Sequence, residues 1–424
     1  MKQLKTDMKR CIICLFSLLL GICSCESVRP DLAGEGDVFL NLGASSTLSA
    51  GQNAWLSNLN DFSFSYADKV GAGMEESYVV SPVSMGFLLG LISNGVDEIT
   101  QEEVARALGY GADSKQSVNE FYRDLLVILS TGDDNLPMVE LANAVFHDPG
   151  LSPVAAFRKN LRNYYDAEFV SVDFSRPQTV METINSWSAR KTHNTIREVI
   201  KDLNPAIRAV LVNSAYFKAA WMYPFLPEAT QEGVFSPEHG DKRKVPMMHS
   251  RLASVSYKAG EGFSMVSLPF LSADRQKEAY SMEILLPNAG VSVSTVLRSL
   301  TGKNWKDTRA AMKPVPVDLK IPKFEVETEQ NMKETLASMG IKRLFADADY
   351  SYMWSPATSL STIKQSVMIS VDEKGAEAAG VSVAYMETVN GPVDGVKEFH
   401  ADRPFLFAIT ENSTGAILFL GIYK

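Results

Sequence analysis

From Tyr280 to Pro287 apolar and polar residues take turns, Tyr280, Met282, Ile284 and Leu286 set against Ser281 and Glu283. A period of two predicts a strand, and Pro287 ends it. The run from Arg208 to Phe217 is more continuously apolar and predicts a central strand covered on both faces. Two apolar runs around "ENSTG" predict a C-terminal hairpin, and "QSVMISV" (365–371) a further strand. Helical spacing occurs elsewhere. In "EQNMKETLASMG" Met332, Leu336 and Met339 share one face before Gly340. In "TQEEVARALG" Thr100 and Glu103 make a capping box, with Gly109 as the stop. Long helices come early and strands cluster late, which is an α+β pattern.

One stretch fits none of these patterns. "DEKGAEAAGVSVAYMETVNGP" (372–392) has neither a helical face nor a turn cluster. From Ala376 to Val389 its even positions are Ala376, Ala378, Gly380, Ser382, Ala384, Met386 and Thr388, uncharged and mostly tiny. Its odd positions carry both acids of that run, Glu377 and Glu387. Such a segment is a surface loop, an alanine-rich helix, or a strand able to slide between two others. Gly380 and the β-branched Val381, Val383, Thr388 and Val389 weaken the helix. Ordered loops beyond about 12–15 residues are uncommon and often functional.

The first 25 residues add a targeting signal. Lys2, Lys5, Lys9 and Arg10 precede the apolar run "CIICLFSLLLGIC", whether translation begins at Met1 or Met8. The run is too short for a comfortable membrane span and has the length of a signal h-region. Ile22-Cys23-Ser24-Cys25 resembles a bacterial lipobox, which implies a lipid on Cys25; an ordinary secretory signal is the alternative. Residues 1–24 then read as signal peptide, 25–52 as a Gly/Ser/acid-rich tether, and 53–424 as one domain. The expected location is the bacterial cell envelope, at the outer membrane or cell surface, with the membrane engaged only through the lipid.

Composition then excludes several classes. All four cysteines lie in residues 11–25, so the mature chain has no disulfide framework, thiol nucleophile or cysteine metal site. Removing residues 1–24 leaves 37 basic against 49 acidic residues, a formal charge of −12, which argues against nucleic acid as partner. The five histidines form no H-E-x-x-H or i, i+4 pair and read as surface residues. No Walker loop, nucleophile elbow or dinucleotide fingerprint is present, and no two carboxylates stand out as a catalytic pair. The expectation is no enzyme, no metal and no cofactor.

Over roughly residues 53–424 the chain resembles the serpin family. The resemblance rests on "VVSPVSMGFLLGL", "LANAVF", "INSW", "VNSAYFKAAWMYPF", "VPMM", "LPF", "IPKF", "MGIKRLF", "VDEKGAEAAG" and "ADRPFLFAIT…GAILFLGIY", all in family order. It implies an α+β serpin fold of three β-sheets, eight to nine helices and an exposed reactive loop, in a monomer. Inhibitory members are suicide substrates. A protease cleaves the loop, and the loop enters the central sheet before the acyl-enzyme can be hydrolysed. By resemblance Glu373, Lys374, Gly375, Ala376, Glu377, Ala378, Ala379 and Gly380 form the hinge. Glu373 is expected to pair with Lys323, with Trp221 packed beneath; Asn213 is expected deeper, near Ser81 and Ser84, where the sheet parts. The family carries Thr or Ser at the place of Ala376, and histidine at the place of Gln365. That histidine hydrogen-bonds the residue matching Asn213, and a glutamine amide is a candidate substitute.

Family members are usually cut sixteen residues after the hinge glutamate, which implies Val389-Asn390 as the reactive bond. No Lys or Arg lies between Gly375 and Val396, so trypsin-like targets are not expected. Val389 suits an elastase-like serine protease; chymotrypsin-like and cysteine proteases are the other candidate partners. The competing expectation is a non-inhibitory serpin-fold binding module at the cell surface.

Overall fold

The computed structural model describes residues 45–111, 115–130, 137–204, 206–272, 279–360, 363–376 and 395–424. Three sheets and nine α-helices are present among them. The helices are α1 (Ala50–Gly71), α2 (Pro82–Ser93), α3 (Glu98–Ala107), α4 (Lys115–Leu129), α5 (Ala155–Tyr165), α6 (Pro177–Lys191), α7 (Val293–Ser299), α8 (Gly302–Ala310) and α9 (Lys333–Ser338). The signal segment, Cys25, residues 377–380 and the Val389-Asn390 bond lie outside the described residues.

Helix α1 starts three residues before the expected domain start. Ser49 caps it, accepting from the Gln52 amide while the Gln52 side chain accepts from the Ser49 amide. Helix α2 is buried on almost every side, as an all-apolar helix must be. Helix α3 begins earlier than the Thr100/Glu103 capping box predicts. Asp97 is its cap, with a carboxylate that accepts from the Thr100 amide and hydroxyl, and Glu103 instead accepts from the Arg343 amide. A nearer Asx cap outcompetes the box because its oxygen reaches the first free amides of the helix.

The largest sheet has nine strands: β1 (Tyr78–Val80), β17 (Ile417–Tyr423), β16 (Phe405–Glu411), β9 (Tyr280–Pro287), β8 (Phe263–Pro269), β7 (Arg243–Ala259), β10 (Lys313–Pro322) and β15 (Lys397–His400) in order, with β6 (Gln231–Phe235) on β7. The expected C-terminal hairpin is β16–β17. Strand β9 differs from its alternating pattern, since its polar face is buried too. Glu283 is fully buried there and bonds Arg309 of α8 at 3.1 Å. A helix laid over that face converts an apparent solvent side into core, and the buried carboxylate survives because a guanidinium meets it. Burial pushes its pKa up against the pull of Arg309.

The second sheet has six strands, in the order β11 (Phe324–Asn331), β13 (Lys364–Val371), β14 (Gly375–Ala376), β5 (Ala209–Ala220), β2 (Met138–His147) and β4 (Ala167–Ser171). A small third sheet joins β3 (Ser152–Pro153) to β12 (Trp354–Ser355). The six-stranded sheet has apolar residues on both faces. Its inner residues, such as Val367, Ile369 and Val371, join the main core. Its outer residues Ala142, Ala144 and Phe146 pack under α6 with Ile184 and Trp187. No helix among the described residues is long and apolar enough to cross a membrane.

Candidate functional site: a two-residue strand in a parted sheet

Strands β5 and β13 run parallel, and among the described residues only Gly375 and Ala376 bridge them. Ala376 pairs with Val371 on one side and Ala219 on the other, and Gly375 pairs with Ala220. The segment after the hinge turn thus already occupies the top rung of a slot between two strands.

A tight turn delivers it there. The Asp372 carboxylate accepts from the amides of Lys374 at 2.8 Å and Gly375 at 3.2 Å, and the Asp372 amide donates to the Gly375 carbonyl at 3.0 Å. Aspartate favours this geometry because its short side chain imitates a backbone turn. The turn is tied to β5 and its extension: the Trp221 amide donates to the Lys374 carbonyl and the Phe225 amide to the Glu373 carbonyl. Trp221 lies below, stacked on Phe270 with centroids 4.6 Å apart, its indole N–H donating to the Asp372 carbonyl at 2.9 Å. Gly375 has no alternative here. A Cβ would stand 2.0 Å from the Ala219 carbonyl oxygen, so only a residue without a side chain allows the strands to meet.

Glu373 holds the turn from the other side. One carboxylate oxygen accepts from Lys323 Nζ and the other from Thr230 Oγ1, both at 3.0 Å. Burial opposes ionisation of Glu373, but its own backbone amide, Lys323 and Thr230 outweigh it and hold the carboxyl below the usual glutamate range. Lys323 is raised for the matching reason, its hydrogen bond to Glu373. A depressed folded pKa contributes stability above the unfolded pKa and loses it as pH falls. The turn should therefore loosen on acidification below the ordinary glutamate value of 4.5. Trp221 fluorescence is the readout: a transition below that pH is expected in the parent chain and should be absent in Glu373→Gln. The Lys323 side chain is 46% exposed, so the pair itself is worth about 0–1 kcal/mol.

Deeper in the sheet, Asn213 and Gln365 belong to two separate networks. Asn213 accepts from the Ser84 hydroxyl and donates to Asn143 Oδ1 at 2.8 Å, and Asn143 in turn donates to the Tyr165 carbonyl. Gln365 Oε1 accepts from the Tyr66 hydroxyl at 3.0 Å and the Ser81 amide at 3.3 Å; Gln365 Nε2 donates to the Ser81 carbonyl at 3.0 Å. Ser81 Oγ donates to the Leu418 carbonyl. Glutamine therefore bonds across to α1 and the start of α2. Tyr66, Thr230 and Asn143 go unnoticed in the sequence because their partners lie 299, 143 and 70 residues away, with no local pattern to mark them.

His249 and His400 are not simple surface groups. His249 and His400 share the Asp318 carboxylate, at 2.6 and 3.3 Å, across β7, β10 and β15. Among the described residues no group of three or more His, Cys, Asp or Glu is arranged to hold a metal ion.

Residues 57–424 match the family described as Serpin (serine protease inhibitor). Iripin-3 of Ixodes ricinus is 32% identical over 355 residues, 82% of this chain and 88% of that protein. Thyroxine-binding globulin of Sus scrofa is 31% identical over 418 residues, 95% of this chain and 96% of that protein. Among solved structures, the thermophilic serpin tengpin in its native state superposes with a TM-score of 0.80 at 26% identity, covering 90% of this chain and 96% of its own. Thyroxine-binding globulin in complex with thyroxine gives 0.76 at 26% identity, covering 87% and 98%.

Proposed function

This chain belongs to the serpin family, described as serine protease inhibitors and not enzymes, and on that premise we propose that it is an inhibitory member acting as a suicide substrate of elastase-like serine proteases. The observation that carries the reading is the seated hinge. Gly375 and Ala376 already form the first rungs between β5 and β13, in a register the rest of the loop is able to continue.

The register supplies the arithmetic. Ala376 opposes Ala219 in an antiparallel ladder, so each step along the loop moves one residue back along β5. Met386 would then reach Ala209, the first residue of β5. A cut at Val389-Asn390 lies just beyond that end and leaves enough chain to fill the whole strand. A cut at Tyr385 would leave the strand one rung short, favouring release of active protease. Ala376 is 1% exposed and faces the core, so the small even-numbered residues would enter the core side. The protein supplies no catalytic group. It supplies the carbonyl that the protease serine attacks, and insertion competes with water for the acyl-enzyme.

The lipid on Cys25 and the placement at the bacterial envelope belong to the same proposal, on the strength of the Ile22–Cys25 motif. Mixing the chain with elastase and running a denaturing gel tests the inhibitory reading. A covalent adduct that survives boiling is expected, with the cut bond found at Val389-Asn390 by mass spectrometry. Rapid cleavage with no adduct would leave a binding module on the same fold.

A further inference from the structure

The face of β7, β10 and β15 that carries Asp318 is a small grid of ionisable groups. The register sets Asp318 of β10 opposite Arg251 of β7 and Glu398 of β15, and Lys320 opposite His249 and His400. Residues paired in this way share one face of the sheet. Val317, Leu319 and Ile321 alternate with them and are buried on the other face. Arg251 and Lys320 balance Asp318 and Glu398, so the two histidines decide the net charge of the grid. One Asp318 oxygen meets His249 Nε2 at 2.6 Å and the other His400 Nε2 at 3.3 Å, with Arg251 Nε 3.6 Å from the first. A carboxylate only accepts, so each neutral ring must keep its single proton on Nε2 to bond there. Burial opposes ionisation of Asp318, but the hydrogen bonds and charge of His249 and His400 hold its carboxyl below the usual aspartate range. A depressed carboxyl pKa keeps the anion in place until the pH falls through that lowered value. Histidine, in contrast, is the side chain whose charge ordinarily changes between pH 5 and 8. The His249 and His400 side chains are 35% and 29% exposed, so protons reach them from solvent.

We propose that Asp318, His249 and His400 form a pH-sensitive clasp, which fastens β15 more tightly to β10 as the histidines gain protons. Strand β15 is short, lies at the end of its sheet and pairs only with β10 among the described residues. Phe399 holds its inner side by burial, and His400 ties its outer side to β10 through Asp318. Protonation makes that tie a charge-assisted hydrogen bond, roughly twice as strong as a neutral one. His249 grips the same carboxylate from β7. Arg251 and Lys320 resist the added charge and Glu398 favours it, while Asp318 is the group within hydrogen-bond distance of both rings. Because β15 follows residues 372–392 in the chain, the clasp sets how firmly the far end of the reactive loop is held. One consequence rests on the inhibitory reading. An uncut loop that filled β5 down to Ala209 would leave only residues 387–396 to return to β15. Ten extended residues reach about 33–36 Å, no more than the strand they must run back along. Sliding in uncut therefore draws on β15, and a closed clasp slows it.

Hydrogen exchange of the intact full chain tests the clasp, read on a peptide spanning β15 and corrected for the intrinsic pH dependence of exchange. A peptide from β9, in the same sheet, reports any global change. From pH 7.5 to 5.5 the protection of β15 in the parent should rise by about fivefold, the step from a neutral to a charged hydrogen bond. That of β9 should hold steady. His400→Gln keeps a donor without a titrating charge, and its β15 should show no rise. Asp318→Asn removes the anion and should lose the rise as well. A parent whose β15 protection is flat or falls on acidification overturns the inference, and so does a His400→Gln chain that keeps the full rise. A second reading follows the uncut chain stored at the two pH values and then assayed for elastase adduct at one common pH. The parent should keep its activity longer at pH 5.5, and His400→Gln should lose activity equally at both. Equal loss in the parent overturns the link between clasp and loop. A parent that forms no adduct at any time overturns the inhibitory reading and leaves the exchange result to decide the clasp.

Discussion

Ala376→Arg is expected to leave the proposed inhibitor cleavable as a substrate but unable to trap its protease. Ala376 is 1% exposed and wedged between Val371 and Ala219, both 0% exposed. An arginine there must either bury its guanidinium in the main core without a partner or withdraw the hinge from the sheet. Burying an unpaired charge costs several kcal/mol even after relaxation, far more than two ladder pairs return. The hinge will therefore leave, and the loop will stay outside after cleavage. Three readings follow: cleavage by elastase at an undiminished rate, no adduct on a denaturing gel, and no rise in melting temperature on nicking. Ala376→Thr is the control, since its small side chain matches what the family usually carries there, and it should still trap. An Ala376→Arg chain that forms adduct as the parent does would mean that the inward-facing parity of the loop is wrong.

One residue of the loop's alternation, Ala376, lies among the described residues, and it faces the core as its even parity implied. Strand β5, the C-terminal hairpin and the α9 face were legible for a related reason: their patterns report burial by neighbours along the chain. What escaped were contacts between distant segments. The polar side of β9 is buried only because Arg309 arrives from α8. The start of α3 moved because Asp97 competes for the same amides, which a motif search weighted toward Thr100 does not register. The seating of the hinge was not legible either, since no pattern in 372–392 tells whether the first two rungs are already in the sheet. Close backbone approach at Gly375 decides it, and that depends on Ala219 and Ala220, more than 150 residues earlier.

Gln365→Leu is expected to cost the intact protein at least about 2 kcal/mol, because it removes volume-neutral polarity from a closed network. The Gln365 side chain touches three backbone or phenolic groups: the Tyr66 hydroxyl, the Ser81 amide and the Ser81 carbonyl. Leucine fills nearly the same space, so cavity formation is a minor cost, and the loss falls on partners left buried and unpaired. Tyr66 is fully buried, with its phenol pushed well above the usual pKa by that burial, so it stays a neutral donor and has no ionised state in which to escape. The effect should reach function through the slot. Ser81 begins α2, and the neighbouring Ser84 hydroxyl holds Asn213 on β5, so loosening the Gln365–Ser81 contact frees both edges of the parted sheet. The variant should melt several degrees lower and lose inhibitory activity on incubation without being cut, as the uncleaved loop slides in. Gln365→His, the residue the family carries at this place, keeps a donor and an acceptor and should melt within about 1 kcal/mol of the parent. Equal melting of Gln365→Leu and the parent would show that the Tyr66–Gln365–Ser81 contacts hold nothing shut. The opening of the sheet would then depend on Ser84, Asn213 and Asn143 alone.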